Sequence, residues 1–222
     1  MRPEGRGKPG ATQIAKMQDN GQGTGEKGSQ GSPNRAACAD PRSEKAPQMF
    51  MLHALRVSDG ILALSALPGS DGDLAGDLQH VTDWQPSVVL ALVTADELAA
   101  AGARDFGVFV ADHGARWEHL PIRDFGIPDD VFEQRWTGVS RVIHNVLEGG
   151  GRVLVQCRGG CGRSGMVVLR LMTEAGEAPG DALARLRSVR PCAVETQEQM
   201  TWAMAVPRKN GAVPARPRLS LL

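Results

Sequence analysis

The chain has 222 residues, with 25 Lys and Arg against 25 Asp and Glu, a length that allows one domain of ordinary size with or without tails. The charge is unevenly spread: residues 1–47 carry 8 basic and 5 acidic side chains, residues 206–222 carry 4 basic and none acidic, and the body is left with 13 against 20, a net charge of −7. An acidic body argues against a nucleic-acid-binding surface, and no run of about 18 apolar residues is present to cross a membrane.

The composition divides the chain into three parts. Residues 1–47 are rich in Gly, Gln, Ser, Lys and Pro, so we expect a disordered N-terminal tail that cannot bury enough apolar surface to order itself. Residues 50–205 form the predicted folded domain and residues 206–222 a basic C-terminal tail. The tails are interpreted as solvated linkers, with binding to an acidic partner as the alternative. The N-terminal tail lacks the apolar run of a secretory signal, which predicts a cytoplasmic protein.

Apolar runs separated by turn residues predict strands that alternate with helices. The first element is a β-hairpin with an Asp59-Gly60 turn, and capping-box spacing occurs at Asp130 and Glu133 and again at Thr196 and Gln199. This order predicts an α/β fold with a central, mostly parallel sheet flanked by helices. The predicted strands are residues 55–57, 61–64, 87–93, 108–110, 116–122 and 152–155; the predicted helices are 76–84, 95–101, 131–148, 166–174, 180–189 and one that begins at 196.

One glycine-rich loop, residues 157–164, joins the last predicted strand to a helix. Without side chains at its glycines, backbone N–H groups can turn inward and meet the positive end of the helix, which makes a cradle for an anion. Cys157 opens this loop in an environment that favours the nucleophilic thiolate. Arg163 closes it with a planar fork that fits two phosphate oxygens. The loop also follows the carboxyl end of a strand, where such sheets bind ligands.

Cys157, five intervening residues, Arg163 and Ser164 together resemble the signature of the cysteine-dependent protein tyrosine and dual-specificity phosphatases. The resemblance implies a dual-specificity phosphatase domain over about residues 50–205, with no cofactor. It implies that Cys157 attacks phosphorus and that Ser164 helps the thiolate leave afterwards. One position departs from the family pattern, because Gln156 stands where His is usual. By the same resemblance, the phosphoryl oxygens would be bound by Arg158, Gly159, Gly160, Cys161, Gly162 and Arg163.

The general acid should come from another loop at the same sheet edge. Asp124 follows the predicted strand 116–122, and Asp-Phe-Gly-Ile-Pro resembles the acid loop of the family. Asp112 precedes that strand, which predicts the opposite edge of the sheet and an ordinary surface role. Asp129 and Asp130 follow the acid loop, and helix capping is the expected role for both, with a share in the acid's work as the alternative.

Residues 190–199 are similar to a late loop of the family. Glu195 takes the place where tyrosine-specific members carry a Gln that positions the hydrolytic water, so that role is not carried over. Helix capping alone is enough to explain the spacing of Thr196 and Gln199.

The four cysteines are too few and too scattered for a disulfide framework, and neither they nor the histidines show metal-ligand spacing. Cys192 is assigned to a loop. Cys161 is interpreted as a small residue that fits the cradle, with a disulfide to Cys157 after oxidation as the alternative. For Arg158 two interpretations stay open: recognition of a second acidic group on the substrate, or a solvated rim residue.

The sequence therefore predicts a metal-independent cysteine phosphatase that acts on a phosphoprotein or a small phosphate ester and works as a monomer. The compact domain lacks room for the insertions that build a deep phosphotyrosine pocket, which favours a shallow site. Two alternatives remain, namely a non-catalytic phosphate-binding scaffold and a rhodanese-type sulfurtransferase, whose cysteine loop is typically one residue shorter. A nucleotide-binding P-loop is excluded because Gly162-Arg163-Ser164 lacks the required lysine.

Overall fold

The computed structural model describes residues 50–205, which contain five strands and seven helices. The predicted tails at 1–47 and 206–222 lie outside the described residues. The strands are β1 (His53–Val57), β2 (Gly60–Ser65), β3 (Val88–Ala91), β4 (Arg116–His119) and β5 (Arg152–Gln156). The helices are α1 (Leu74–Trp84), α2 (Ala95–Ala100), α3 (Phe106–Asp112), α4 (Asp130–Glu148), α5 (Gly162–Glu174), α6 (Pro179–Val189) and α7 (Gln197–Met204).

The strands form one sheet in the order β1-β2-β5-β3-β4. β1 and β2 are antiparallel, whereas the pairs β2–β5, β5–β3 and β3–β4 are parallel. The predicted mostly parallel sheet is thereby confirmed. Because β3, β4 and β5 run in the same direction, the loops that leave their carboxyl ends meet at one edge of the sheet.

The sheet is buried on both faces, since successive side chains of each strand point into two different cores. Leu62 and Val153 are fully buried in the core shared with α4 and α5. Their neighbours Ala63 and Leu154 are fully buried in the core shared with α1, α2 and α3. The predicted arrangement of a sheet flanked by helices is confirmed.

The predicted hairpin is present, but its turn is one residue earlier than expected. Val57 pairs with Gly60, so the turn consists of Ser58 and Asp59, and Ser58 adopts a positive φ of 52°. Gly60 belongs to the strand, where an added Cβ would lie 2.5 Å from the carbonyl oxygen of Gly151. The glycine is therefore required by a close approach between β2 and the loop before β5, rather than by the turn.

The predicted strand at residues 108–110 is wrong, because these residues lie in α3. Phe106 and Val110 are buried and four residues apart, while Val108 is 62% exposed. This is the burial pattern of one helical face. A three-residue apolar run is too short to show its period, which is why the sequence pattern did not distinguish helix from strand.

Several helix starts differ from prediction by one to four residues, and those of α4 and α5 bear on the site. The cap of α4 is Asp129, whose carboxylate accepts a hydrogen bond from the N–H of Phe132 at 2.9 Å, and Asp130 is the first helical residue. α5 begins at Gly162 rather than Met166, so Arg163 and Ser164 stand in its first turn. No helix among residues 50–205 is both long and apolar enough to cross a membrane.

Candidate active site

The Cys157 loop connects β5 to α5 at the carboxyl edge of the sheet. Gly160 has a φ of +65°, and a Cβ there would lie 2.6 Å from the backbone N of Ala66. Both the left-handed conformation and the close approach to the end of β2 require glycine at this position. Glycine at position 160 therefore allows the loop to turn past the end of β2.

The loop turns its carbonyl groups outward. Each carbonyl of residues 158–161 accepts a hydrogen bond from a neighbouring segment, at 2.9–3.3 Å. The N–H groups of the same four residues donate to no group within residues 50–205, and those of Gly162 and Arg163 lie in the first turn of α5, where no intrahelical acceptor exists. The loop therefore presents a ring of free N–H groups, the arrangement that binds a phosphate. The outward pairs are Arg158 with Leu67, Gly159 and Gly160 with Arg190, and Cys161 with Val194.

Cys157 stands at the start of this loop, and its thiol is buried. The residue is 2% exposed, and its Sγ lies 3.2 Å from the hydroxyl oxygen of Ser164. Cys157 is the one free cysteine among residues 50–205. A buried thiol at the start of a loop with free N–H groups, with a hydroxyl in hydrogen-bond range, can serve as a nucleophile towards an anion that the loop binds.

Arg163 is buried beside the loop, and its guanidinium is held by a carboxylate that the sequence reasoning missed. Nη1 and Nη2 donate to the two carboxylate oxygens of Glu97 at 2.8 and 2.7 Å, and Nη1 also donates to the carbonyl oxygen of Ile122 at 2.9 Å. Within the described chain, Nε–H makes no protein hydrogen bond. The fork is thereby fixed in orientation while one donor is left for a ligand.

Electrostatics support the Arg163–Glu97 pair. Burial alone would raise the pKa of Glu97, but the hydrogen bonds from Arg163 outweigh it and the pKa falls below its ordinary value. Burial would likewise lower the pKa of Arg163. The hydrogen bonds to Glu97 and the charges of Cys157, Glu97 and Asp124 outweigh burial and raise this pKa instead. Glu97 follows β3, whose carboxyl end lies at the same sheet edge as the Cys157 loop. An acidic residue just after a parallel strand was the available sequence signal.

Asp124 lies against the same guanidinium. Its Oδ1 is 2.9 Å from Nη2 of Arg163, and its Oδ2 is 3.9 Å from Nη1 of the exposed Arg158. Asp112 ends α3 before β4 begins, which places it towards the opposite edge of the sheet. The structure thus brings Asp124, and not Asp112, to the cysteine loop, whereas Asp129 caps a helix.

Cys161 forms a disulfide with Cys192. Both interpretations of Cys161 from the sequence, a small residue that fits the cradle and a disulfide to Cys157, are therefore wrong about its partner. The bond links the cysteine loop to the segment between α6 and α7, which we call the late loop (residues 190–196). Arg190 holds the same loop by hydrogen bonds to the carbonyls of Gly159 and Gly160. The prediction of no disulfide framework therefore missed one bond, because its two cysteines are 31 residues apart in sequence.

The late loop leads into α7 through the predicted capping box, which is confirmed. Thr196 accepts a hydrogen bond from the N–H of Gln199, and the Gln199 side chain accepts from the N–H of Thr196. The exposed Glu195 places its carboxylate beside Gly162, at the mouth of the loop. The fully buried Gln199 also donates to the carbonyl of Gly126 at 3.2 Å, in the loop that carries Asp124.

Gln156, which replaces the usual histidine, is fully buried at the end of β5. Neither its amide nitrogen nor its amide oxygen has a hydrogen-bond partner within residues 50–205. A buried amide without partners is destabilising by about 1–3 kcal/mol. The same part of the chain contains no group of three His, Cys, Asp or Glu that could hold a metal ion.

Comparison with known proteins agrees with this geometry. Residues 117–207 match the family model for protein-tyrosine phosphatase. Kinase associated phosphatase, solved with its catalytic-site cysteine replaced by serine, has 23% sequence identity and a TM-score of 0.62 over 72% of this chain and 94% of its own. A putative protein tyrosine phosphatase from Leishmania major has 16% identity and a TM-score of 0.56 over 71% of this chain and 99% of its own. At these identities the two structures support the fold.

A third structure extends the likeness from fold to family. Tk-PTP, solved in its active form, has 32% identity and a TM-score of 0.52 over 68% of this chain and 92% of its own. No curated protein matches the chain. Because the identity exceeds 30% over nearly the whole length of Tk-PTP, the chain belongs to the protein-tyrosine phosphatase family.

Proposed function

We propose that the protein hydrolyses phosphate monoesters through a phosphocysteine intermediate, without a metal ion. The observation that carries the proposal is the buried Cys157 thiol at the start of a loop whose N–H groups are free, together with the buried Arg163 that ends the loop. A phosphate held there would place its phosphorus in front of the sulfur, and its equatorial oxygens would be stabilised by fixed donors. Neither the scaffold nor the sulfurtransferase alternative is favoured by the family.

In the first step, the Cys157 thiolate attacks phosphorus, so that an S–P bond forms as the ester P–O bond breaks. Arg163 offers its Nε–H and the Nη2–H now paired with Asp124 to two phosphoryl oxygens. Asp124 must leave Arg163 for this to happen, and its carboxyl group then donates a proton to the departing alkoxide or phenoxide. The loop residues Arg158 to Gly162 contribute their backbone N–H groups.

In the second step, water attacks the phosphocysteine, and Asp124 accepts its proton as general base. Phosphate is released as the S–P bond breaks and the thiolate returns. The hydroxyl of Ser164, 3.2 Å from the sulfur, can donate a hydrogen bond to that thiolate as it leaves.

The substrate proposed is a phosphoprotein or a small phosphate ester, bound by a monomer that uses neither nucleic acid nor a membrane. Arg158 is 69% exposed beside Asp124 and can contact an acidic group that flanks the substrate phosphate. We place residues 50–205 as the catalytic domain, between tails 1–47 and 206–222, and the protein in the cytoplasm. Cytosolic thiols are kept reduced, so the Cys161–Cys192 pair would be mostly dithiol there. The test is to alkylate free cysteines in rapidly quenched cells. A pair found fully oxidised would contradict a cytoplasmic location.

The test is hydrolysis of an aryl phosphate by the purified protein in EDTA and reductant, with and without vanadate. We expect activity that resists EDTA, falls with vanadate and vanishes in Cys157→Ser while phosphate-ester binding remains. Asp124→Ala should lose at least about a hundredfold in rate, the scale of a general acid. Asp112→Ala is the matched control and should retain the wild-type rate. Undiminished turnover by Cys157→Ser would overturn the proposal, and inactivity of folded wild-type protein would favour a phosphate-binding scaffold.

A further inference from the structure

We propose that Gln199 is a positioning residue that aligns the Asp124 loop with the cysteine loop. The inference rests on the proposed function, since it concerns how the general acid is held. Gln199 lies in α7, 73 residues after Gly126 in sequence, and its side chain is fully buried. Its amide joins the late loop to the acid loop, which is defined here as residues 123–128.

The orientation of the Gln199 amide follows from its partners. Its Oε1 accepts from the backbone N–H groups of Glu195 and Thr196, at 3.0 and 3.4 Å. Two donors on one side require the oxygen there, so the Nε2 must face Gly126 and donate to its carbonyl. The amide therefore has one function at each end: the oxygen holds the start of α7, and the nitrogen holds the acid loop.

The acid loop has few other attachments. Its internal hydrogen bonds run from the N–H of Gly126 to the carbonyl of Arg123, at 2.9 Å, and from the N–H of Phe125 to the carboxylate of the preceding Asp124, at 3.2 Å. Among residues 50–205, the bond from Gln199 is the sole hydrogen bond between the backbone of this loop and another element. The two large apolar side chains of the loop, Phe125 and Ile127, are 63% and 45% exposed, so their packing contributes little to holding it. The fixed point lies two residues after Asp124.

The other side of Gln199 is firmly attached to the phosphate-binding ring. The N–H of Val194 donates to the carbonyl of Cys161, and the Cys161–Cys192 disulfide joins the same two segments. Gln199 Oε1 lies near the place that a Cβ on Gly162 would take, at 3.0 Å. Gln199 thus connects the acid loop to a frame that contains the nucleophile loop. Since a displacement of about 1 Å can lower a rate a hundredfold, this connection governs proton donation.

Gln199→Glu removes the hydrogen bond made by the amide nitrogen and keeps those accepted by the amide oxygen. A carboxylate still accepts from Glu195 and Thr196 but cannot donate to the Gly126 carbonyl. Gln199→Met removes both bonds without adding charge. Thr196→Ala is the matched control, because it weakens the cap of α7, through the bond from Gln199 N–H to the Thr196 hydroxyl, and leaves the bond to Gly126 in place.

The readout is the dependence of kcat/KM on the leaving group, measured from 2,4-dinitrophenyl phosphate to phenyl phosphate. A poor leaving group needs the acid, whereas dinitrophenolate departs without a proton. We expect both Gln199 variants to lose at least tenfold more on phenyl phosphate than on dinitrophenyl phosphate, in the direction of Asp124→Ala. Thr196→Ala should keep the wild-type slope. A uniform loss on all esters would reflect added charge or reduced stability and overturns the inference.

The outcomes separate this inference from the proposed function. If wild-type protein shows a shallow slope, Asp124→Ala a steep one and folded Gln199→Glu the wild-type slope, the inference fails and the proposed function stands. If folded wild-type protein hydrolyses none of the esters, both fail. Circular dichroism establishes folding, and Gln199→Glu decides the question if Gln199→Met does not fold.

Discussion

Glu97 is expected to hold Arg163 in its working orientation, and Glu97→Gln tests this. The substitution keeps the shape of the side chain but replaces one carboxylate oxygen by an NH₂ group. Because Arg163 donates to both oxygens of Glu97, at 2.7 and 2.8 Å, at least one of these bonds becomes a contact between two donors. The side chain of Arg163 is 2% exposed, so water cannot replace the lost acceptor.

The expected magnitude follows from burial. Removal of one partner of a buried ion pair typically destabilises a protein by 3–5 kcal/mol. Here the Glu97 side chain is 17% exposed and Asp124 and the Ile122 carbonyl still contact Arg163, so we expect a smaller loss of about 2–3 kcal/mol in the free energy of unfolding. A misplaced fork should also lower kcat/KM by at least about tenfold.

The assay is urea unfolding at pH 7, combined with aryl phosphate kinetics. The matched control is Asp96→Asn, which removes a charge from the same first turn of α2 but is exposed, and a loss of only a few tenths of a kcal/mol is expected there. Since the pKa of Glu97 is lowered on folding, its contribution is present above the ordinary carboxyl pKa and lost as pH falls through the folded value. The gap between wild type and Glu97→Gln should therefore shrink below about pH 4.5. A loss under 1 kcal/mol at pH 7 with unchanged kcat/KM would refute this role.

Two further predictions concern stability. Burial would raise the pKa of Glu174, but hydrogen bonds from His144, Ser140, Arg170 and Trp136 outweigh it and lower the pKa from 4.5 to about 2. The stabilisation that the ionised Glu174 gives to the fold is thus complete above pH 4.5 and is lost as the pH falls towards 2. From pH 6 to pH 2 the unfolding free energy of wild type should fall by about 3 kcal/mol more than that of Glu174→Gln, and parallel curves in urea titrations would contradict it. The Cys161–Cys192 disulfide closes a loop of 31 residues, so a reductant should lower the unfolding free energy of wild type by up to about 3.5 kcal/mol and leave Cys192→Ser unchanged. Equal Tm values for wild type with and without dithiothreitol would argue against the bond.

The sequence reasoning found what is local in the chain. Cys157, Arg163 and Ser164 stand within eight residues, so their spacing could be read directly, and the glycines between them indicated the cradle. Asp124 was reached by one more step, because a loop that follows a parallel strand must lie at the carboxyl edge. The first deduction needed only the spacing of neighbouring residues, and the second needed the order of strands and helices together with the resemblance of the Asp124 loop to the acid loop of the family.

What the sequence did not provide are contacts between distant segments. Glu97 is 66 residues from Arg163, and Gly126 is 73 residues from Gln199. For Gln199 the capping-box pattern of a helix start explained the residue sufficiently, and its second hydrogen bond had no sequence pattern. The same holds for Cys161, whose nearest cysteine in sequence is Cys157 but whose partner depends on how the late loop packs against the cysteine loop.

The contact between Asp124 and Arg163 suggests how substrate binding prepares the acid. In the free site, the carboxylate of Asp124 occupies Nη2 of Arg163, the donor that a phosphate needs. A phosphate dianion that takes this donor displaces the carboxyl group of Asp124 from Arg163. We therefore expect that binding of the phosphate itself frees Asp124 for the first step, while Gln199 keeps its loop within reach of the leaving oxygen.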